Sequence, residues 1–339
     1  MSKTDRWASL DARAQFAVAL DVARRRGASL RAAFSNVVSV GAGWRSSGAD
    51  ARIHSEVCLR FLVRRKWTER RSRPRKIPAE IVAYALLGQH RIRVRIPTDV
   101  SAYPRGAPHA GLNLTAGITS LKDGRAFQFG TACCIVRNVG IPAERYLLSC
   151  YHVFSPEMDD AGVPDRSCVR SVDGQMLGDL ASKAQILAPN GLDAALVRID
   201  DANFSGASVF GRFPVARATD FDIAELPHRG SLSLLCRQRA PAAAGMSSLQ
   251  RVEPLAVEFQ SLFPNASPFD YTHDAGRIIE FADTIQYLAD VQEGDSGSAL
   301  VDDGGMLYGM HFYGVGRVGF AMSAARLFDS DVFSLDIEL

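Results

Sequence analysis

The chain of 339 residues is expected to be mainly β, with a small basic α+β unit ahead of a larger all-β domain. Three observations point there. From residue 113 onward, short apolar runs recur at 132–136, 145–149, 194–199, 232–236, 298–301 and 306–312. Gly, Asp, Asn and Pro divide these runs, which is the texture of a barrel or sandwich. Residues 4–26 instead set Trp7, Leu10, Ala14, Phe16, Ala17, Leu20 and Val22 on a helical stripe. Charge divides the chain at the same place. Residues 1–100 carry 21 Lys and Arg against 8 Asp and Glu, net +13, and the remainder carries 18 against 29, net −11.

Along the chain, the first helix is expected to stop at Gly27, after the Arg24–Arg26 run. A second short helix is expected over residues 29–38, and residues 41–51 are rich in turn formers. Val57, Leu59, Phe61 and Val63 alternate with Cys58, Arg60 and Leu62, a half-buried strand pattern. The basic run 64–76 reads as an exposed loop. Residues 77–87 read as a helix with Pro78 in its first turn, and Arg91–Ile96 as a strand with one wet, basic face. Residues 101–112, rich in Pro, Gly and Ala, read as a linker to the domain at 113–339.

Composition narrows the function. No apolar run approaches the ~20 residues that span a bilayer. The N-terminus lacks the apolar core and cleavage site of a signal peptide, so a cytoplasmic location is expected. Cys58, Cys133, Cys134, Cys150, Cys168 and Cys236 match no zinc spacing and read as reduced, mostly buried thiols. Cys150 alternates with Tyr146 and Leu148, so it reads as a core residue and not as a nucleophile. The basic front could meet nucleic acid or an anionic surface; docking on the chain's own acidic domain is favoured, since no nucleic-acid motif accompanies the arginines.

Three motifs carry chemistry. Glu293-Gly294-Asp295-Ser296-Gly297-Ser298 precedes the apolar Ala299-Leu300-Val301. A nucleophilic serine needs a tight loop that turns backbone N–H groups inward to receive an oxyanion, and glycines permit that loop. Tyr146-Leu147-Leu148-Ser149-Cys150-Tyr151-His152 ends an apolar strand in a histidine, a setting for a rigidly held general base. In Asn190-Gly191-Leu192-Asp193-Ala194-Ala195-Leu196-Val197, an aspartate heads an apolar strand, where it can accept an imidazole N–H. Asp179 and Asp200 are the alternatives for that role, as is a plain strand-entry turn; a hairpin turn is the other reading of the serine motif, and a structural role the other reading of the histidine.

In the order His152, Asp193, Ser296, these stretches resemble the trypsin-like (chymotrypsin-fold) serine peptidases over about residues 113–330. The resemblance implies a chymotrypsin-like double β-barrel, roughly 113–205 and 228–325, with a cleft between. It implies catalytic His152, Asp193 and Ser296, and backbone donors at Gly294 and Ser296 for the oxyanion. It implies a serine endopeptidase with no metal or organic cofactor. The family's disulfides beside the histidine and before the serine are missing, since Val153 and Gln292 stand there. The chain is in this closer to bacterial and some plant members with a leading domain. Without a liberated N-terminus of the trypsin kind, Asp295 is expected to find another cation or N–H.

By the same resemblance Asp290 matches the pocket floor that trypsins use for Arg or Lys. His311 matches a histidine that glutamate-specific relatives use, and Gly314 follows on the same strand. The two charges conflict, and cleavage after Arg or Lys is favoured. The partner expected is a protein substrate. The peptidase class alone, and no residue, suggests a companion effector such as a gasdermin-like protein, or homo-oligomeric enclosure as a restraint. The alternative function is an idle peptidase-fold sensor or binding module, with residues 1–100 binding nucleic acid or a partner.

Overall fold

The computed structural model describes residues 6–34, 36–47, 52–64, 76–87, 90–102, 118–122, 125–126, 130–153, 168–171, 176–183, 191–199, 214, 216–218, 222, 232–235, 242–253, 255–258, 278–292, 294–315, 317–333 and 335–339. The linker expected at 101–112 lies mostly outside these, as does most of the basic run 64–76.

Strand formation dominates, as expected of alternating apolar runs. The first hundred residues give α1 (Ala12–Ala33), β1 (Val37–Ser47), β2 (Arg52–Val63), β3 (Glu80–Leu87) and β4 (His90–Ala102). Asp11 caps α1 by accepting the Ala14 N–H at 2.7 Å, a bond that contributes about 1 kcal/mol. The helix does not stop at Gly27. It runs on to Ala33, because Gly27 and Leu30 lie on its buried stripe. The helix expected over 29–38 therefore merges into α1 and gives way to β1, and residues 41–47 of the expected turn-rich stretch 41–51 lie in β1 instead; residues 48–51 lie outside the described residues. Residues 77–87 are likewise corrected. Ile81, Ala83 and Ala85 are buried while Val82 and Tyr84 are exposed, so the period is two and β3 pairs in register with β4, from Glu80↔Pro97 to Leu87↔His90.

The remaining chain builds two sheets. One contains β5 (Ile118–Lys122), β6 (Arg125–Ala126), β7 (Cys134–Asn138), β8 (Arg145–Ser149), β9 (Cys168–Ser171), β10 (Met176–Lys183) and β11 (Ala195–Ile199). It runs in the order β6-β5-β9-β10-β11-β8-β7, and the C-terminal β21 (Ile337–Glu338) closes on β7. The other contains β12 (Ala216–Arg217), β13 (Leu232–Leu235), β14 (Ala242–Glu253), β17 (Thr284–Leu288), β18 (Ala299–Asp302), β19 (Met306–Val315) and β20 (Val318–Ser323). Here β13 pairs with both β18 and β14, so β13-β18-β19-β20-β17-β14 forms a closed ring of six strands. Closure removes the sheet edges. A separate pair joins β15 (Leu255–Glu258) to β16 (Ile278–Phe281), and α2 (Ala324–Leu327) follows β20.

The two halves of the charge division share a sheet. The far end of β14 pairs with β1 from Val40↔Glu253 to Gly43↔Gln250, and β2, β4 and β3 continue outward. Their inner face packs on α1. Phe16, Ala19, Leu20 and Ala23 meet Val40, Ala42, Trp44, Leu59, Phe61 and Val94 in a core that reaches Leu232 and Tyr287 of the ring. A second core gathers Val136, Leu147, Leu148, Leu196 and Val197 of the first sheet with Phe281, Met310 and Phe312. Among the described residues no helix is long and apolar enough to cross a membrane.

Candidate active site

Three short turns carry the candidate residues. Strand β8 ends at Ser149, and the single 3-10 turn Tyr151–Val153 follows, carrying His152 with no exposed surface. Strand β11 pairs with β8 through Ala195↔Ser149, which sets Asp193, just ahead of β11, beside that turn. Asp193 is also fully buried. Its Oδ1 accepts the backbone N–H of His152 at 2.9 Å, and its Oδ2 meets His152 Nδ1 in a short contact. A carboxylate bonded in this way to ring and backbone fixes both the rotamer and the tautomer of the imidazole. The N–H of Asp193 itself donates to Met322 Sδ at 3.1 Å.

Ser296 lies in the turn between β17 and β18. Gly294 and Gly297 have φ of +89° and +94°, the left-handed region that an L side chain resists. Gly297 has no alternative on packing grounds either, since a Cβ there would stand 1.8 Å from the Thr131 carbonyl oxygen. Asp295 accepts the Gln292 N–H at 2.7 Å, so the cation or N–H expected for it is a backbone N–H of its own loop. Among the described residues, the N–H groups of Gly294 and Ser296 donate to no backbone oxygen. The Ser296 hydroxyl donates to the Phe312 carbonyl at 3.5 Å, the outer limit of a hydrogen bond.

Gly130 and Thr131 stitch the serine loop to the histidine turn. The Thr131 N–H donates to the Ser296 carbonyl at 2.7 Å, and its hydroxyl donates to the Gly294 carbonyl at 2.8 Å. Ser149 Oγ donates to the Thr131 carbonyl at 2.7 Å. A Cβ on Gly130 would lie 2.4 Å from Val153 and 2.8 Å from the Ser296 carbonyl, so one glycine separates the two turns. In the sequence this stretch shows as the apolar run 132–136. The Gly-Thr pair ahead of Cys133 was its one legible signal.

The specificity candidates have contrasting settings. His311 is fully buried on β19, and Tyr287 Oη lies 2.7 Å from its Nδ1. Its backbone holds the serine loop, with the Gly297 N–H on its carbonyl at 2.7 Å and its own N–H on Ser298 at 2.9 Å. Asp290 is exposed, beyond the end of β17. Gly314 is buried opposite Gly319 on β20.

Cys58, Cys133, Cys134 and Cys150 are free and buried, and nothing is described of Cys236. Cys150 Sγ, a His152 ring nitrogen and an Asp193 oxygen lie within 4.8 Å of one another. The thiol donates to the His311 carbonyl at 3.2 Å. Burial first, then the charge of Asp193, pushes it well above the ordinary thiol value. The thiol is thus held on the His311 carbonyl and the imidazole Nδ1 on Asp193, so each already has a hydrogen-bond partner.

No family model matches the chain, and no curated protein matches it. Solved structures do. The chain is similar to the Rv3671c protease of M. tuberculosis in its active form (14% identity, 62% of this chain and 76% of that one, TM-score 0.36). It is similar to Protease A of Thermobifida fusca (12%, 66% and 98%, TM-score 0.39) and to the Cellulomonas bogoriensis chymotrypsin (14%, 65% and 95%, TM-score 0.38). At TM-scores below 0.4 and identities of 12–14% the likeness is slight, and the chemistry of the site rests on its own geometry.

Proposed function

We propose that the chain is a serine endopeptidase in which Ser296 attacks the scissile carbonyl, His152 takes and returns the proton, and Asp193 orients the imidazole. The observation that carries this reading is the doubly held His152–Asp193 couple, buried beside a serine loop of left-handed glycines. The Gly294 and Ser296 N–H groups would receive the oxyanion that forms on attack. The acyl-enzyme then yields to water activated by the same imidazole, so the chemistry needs no further group. The substrate is a protein, cleaved after Arg or Lys with Asp290 as the counter-charge.

Labelling by a fluorophosphonate, which reports an activated serine, is expected in the wild-type chain and absent in Ser296→Ala. Persistent labelling of that variant rejects Ser296. A wild-type chain that neither labels nor digests a diverse peptide library is the idle module instead. Retained cleavage after Arg in Asp290→Ser would remove the basic preference.

A further inference from the structure

Among the described residues of the first hundred, the arginines of α1 and those of β4 differ in their surroundings. Those on α1 are engaged within the molecule. Arg24 pairs with Asp283, and Arg31 meets Glu280 at 2.7 Å. Arg25 pairs with Asp21 and donates to the Tyr84 carbonyl at 3.3 Å, while Arg26 donates to the Val82 carbonyl at 2.9 Å. The arginines of β4 differ. Arg91, Arg93 and Arg95 alternate with the buried Ile92, Val94 and Ile96, so all three stand on the wet face. Arg95 has Glu80 at 3.8 Å with both side chains half exposed, and Arg93 makes no ion pair among the described residues.

Apolar groups interleave with these charges. Val82 is 42% exposed and Tyr84 50%, and they stand opposite Arg95 and Arg93 on the same face. The Arg91 guanidinium lies over the Tyr84 ring, 4.5 Å from its centre. Scattered surface arginines need no explanation, whereas an Arg ladder with an exposed ring in its midst has the composition of an interface.

We propose that this face of the β3–β4 hairpin binds a single-stranded nucleic acid. Arginines on alternate strand residues recur about every 6.8 Å, a regular comb suited to a polyanion. Guanidinium groups take phosphate oxygens two at a time. Tyr84 and the guanidinium stacked on it offer flat surfaces to unpaired bases. An added peptide strand is disfavoured, because β3 is the edge strand and Arg25 and Arg26 already occupy its Val82 and Tyr84 carbonyls. The site is independent of the peptidase reading and is tested without it.

The test uses the full chain as Ser296→Ala, with labelled oligouridylate and oligothymidylate followed by anisotropy across a salt series. Binding is expected to weaken with salt at a log–log slope of about −2, near −0.7 for each of three phosphates. Arg91→Gln/Arg93→Gln/Arg95→Gln should lose that slope and at least about tenfold in affinity. Tyr84→Ala should lose about tenfold at unchanged slope. Arg137→Gln/Arg145→Gln/Arg317→Gln removes as much exposed charge elsewhere and should bind as the parent does. Thermal unfolding checks that each variant is folded. The proposal is overturned if the parent fails to bind at low salt, or if the ladder variant binds unchanged. Equal affinity for duplex, or tighter binding of labelled polyglutamate, overturns it in favour of another polyanion.

Discussion

Asp193 holds His152 at two points, the backbone N–H at 2.9 Å and the ring Nδ1. The first bond decides what an amide would do in its place. In Asp193→Asn the carbonyl oxygen is kept by the backbone N–H, which turns the amide NH2 toward Nδ1. That donor stabilises the tautomer protonated at Nε2, which cannot take a proton from Ser296. Peptidase activity is expected to fall by about four orders of magnitude with little change in stability. The rate of fluorophosphonate labelling and a melting curve measure the two effects. A loss below tenfold would refute the arrangement.

Gly297→Ala should damage the protein far more than its size suggests. The new methyl would meet the Thr131 carbonyl at 1.8 Å, and φ is +94°. The expected loss is on the order of 3 kcal/mol or more, from overpacking against backbone added to left-handed strain. Gly304→Ala, whose Cβ would meet nothing closer than Asp302 Oδ1 at 3.2 Å, should stay within about 0.5 kcal/mol. Denaturant midpoints compare the pair.

Tyr287→Phe isolates the buried phenol on His311. The ring still fits, because Gly319 leaves room for it; a Cβ there would lie 2.5 Å from the ring. Only the hydroxyl at 2.7 Å from Nδ1 is lost. A buried polar nitrogen without that partner should cost about 1–3 kcal/mol. A shifted urea midpoint at unchanged slope is the expected reading.

The thiols make stability depend on pH in one direction. Burial, then the charge of Asp99, lifts Cys58 from 9.0 to about 12. The unfolded chain releases that proton from about pH 9, the folded chain only near 12. Between those values the unfolded state holds fewer protons, so stability falls as pH rises. Full stability below pH 9 and a melting temperature that declines above it are expected in the wild type, with a shallower decline in Cys58→Ala. Cys150 and Cys133, also raised by burial, should resist iodoacetamide at pH 8 until the chain unfolds.

Legibility followed the range of the interaction. The strands β7, β8 and β11 were visible because each is a short, largely apolar run that the fold buries almost throughout. The left-handed glycines at 294 and 297 were visible because no other residue suits that loop. Residues 77–87 misled, because Pro78 and an apolar run satisfy a helix as well as a strand until β4 is present to pair. Gly27 misled because a glycine buried within a helix looks, in isolation, like one that ends it.

Residue order alone therefore established a mainly β chain, a histidine after one strand, an aspartate before another and a serine between glycines. Tertiary structure decided the rest: which aspartate meets His152, that Gly130 and Thr131 tie the serine loop to it, and that β1 joins β14 across the charge boundary. The physical reason is that periodicity records which side of a strand is dry, whereas the partner of its N–H and carbonyl groups is chosen by the whole folded chain.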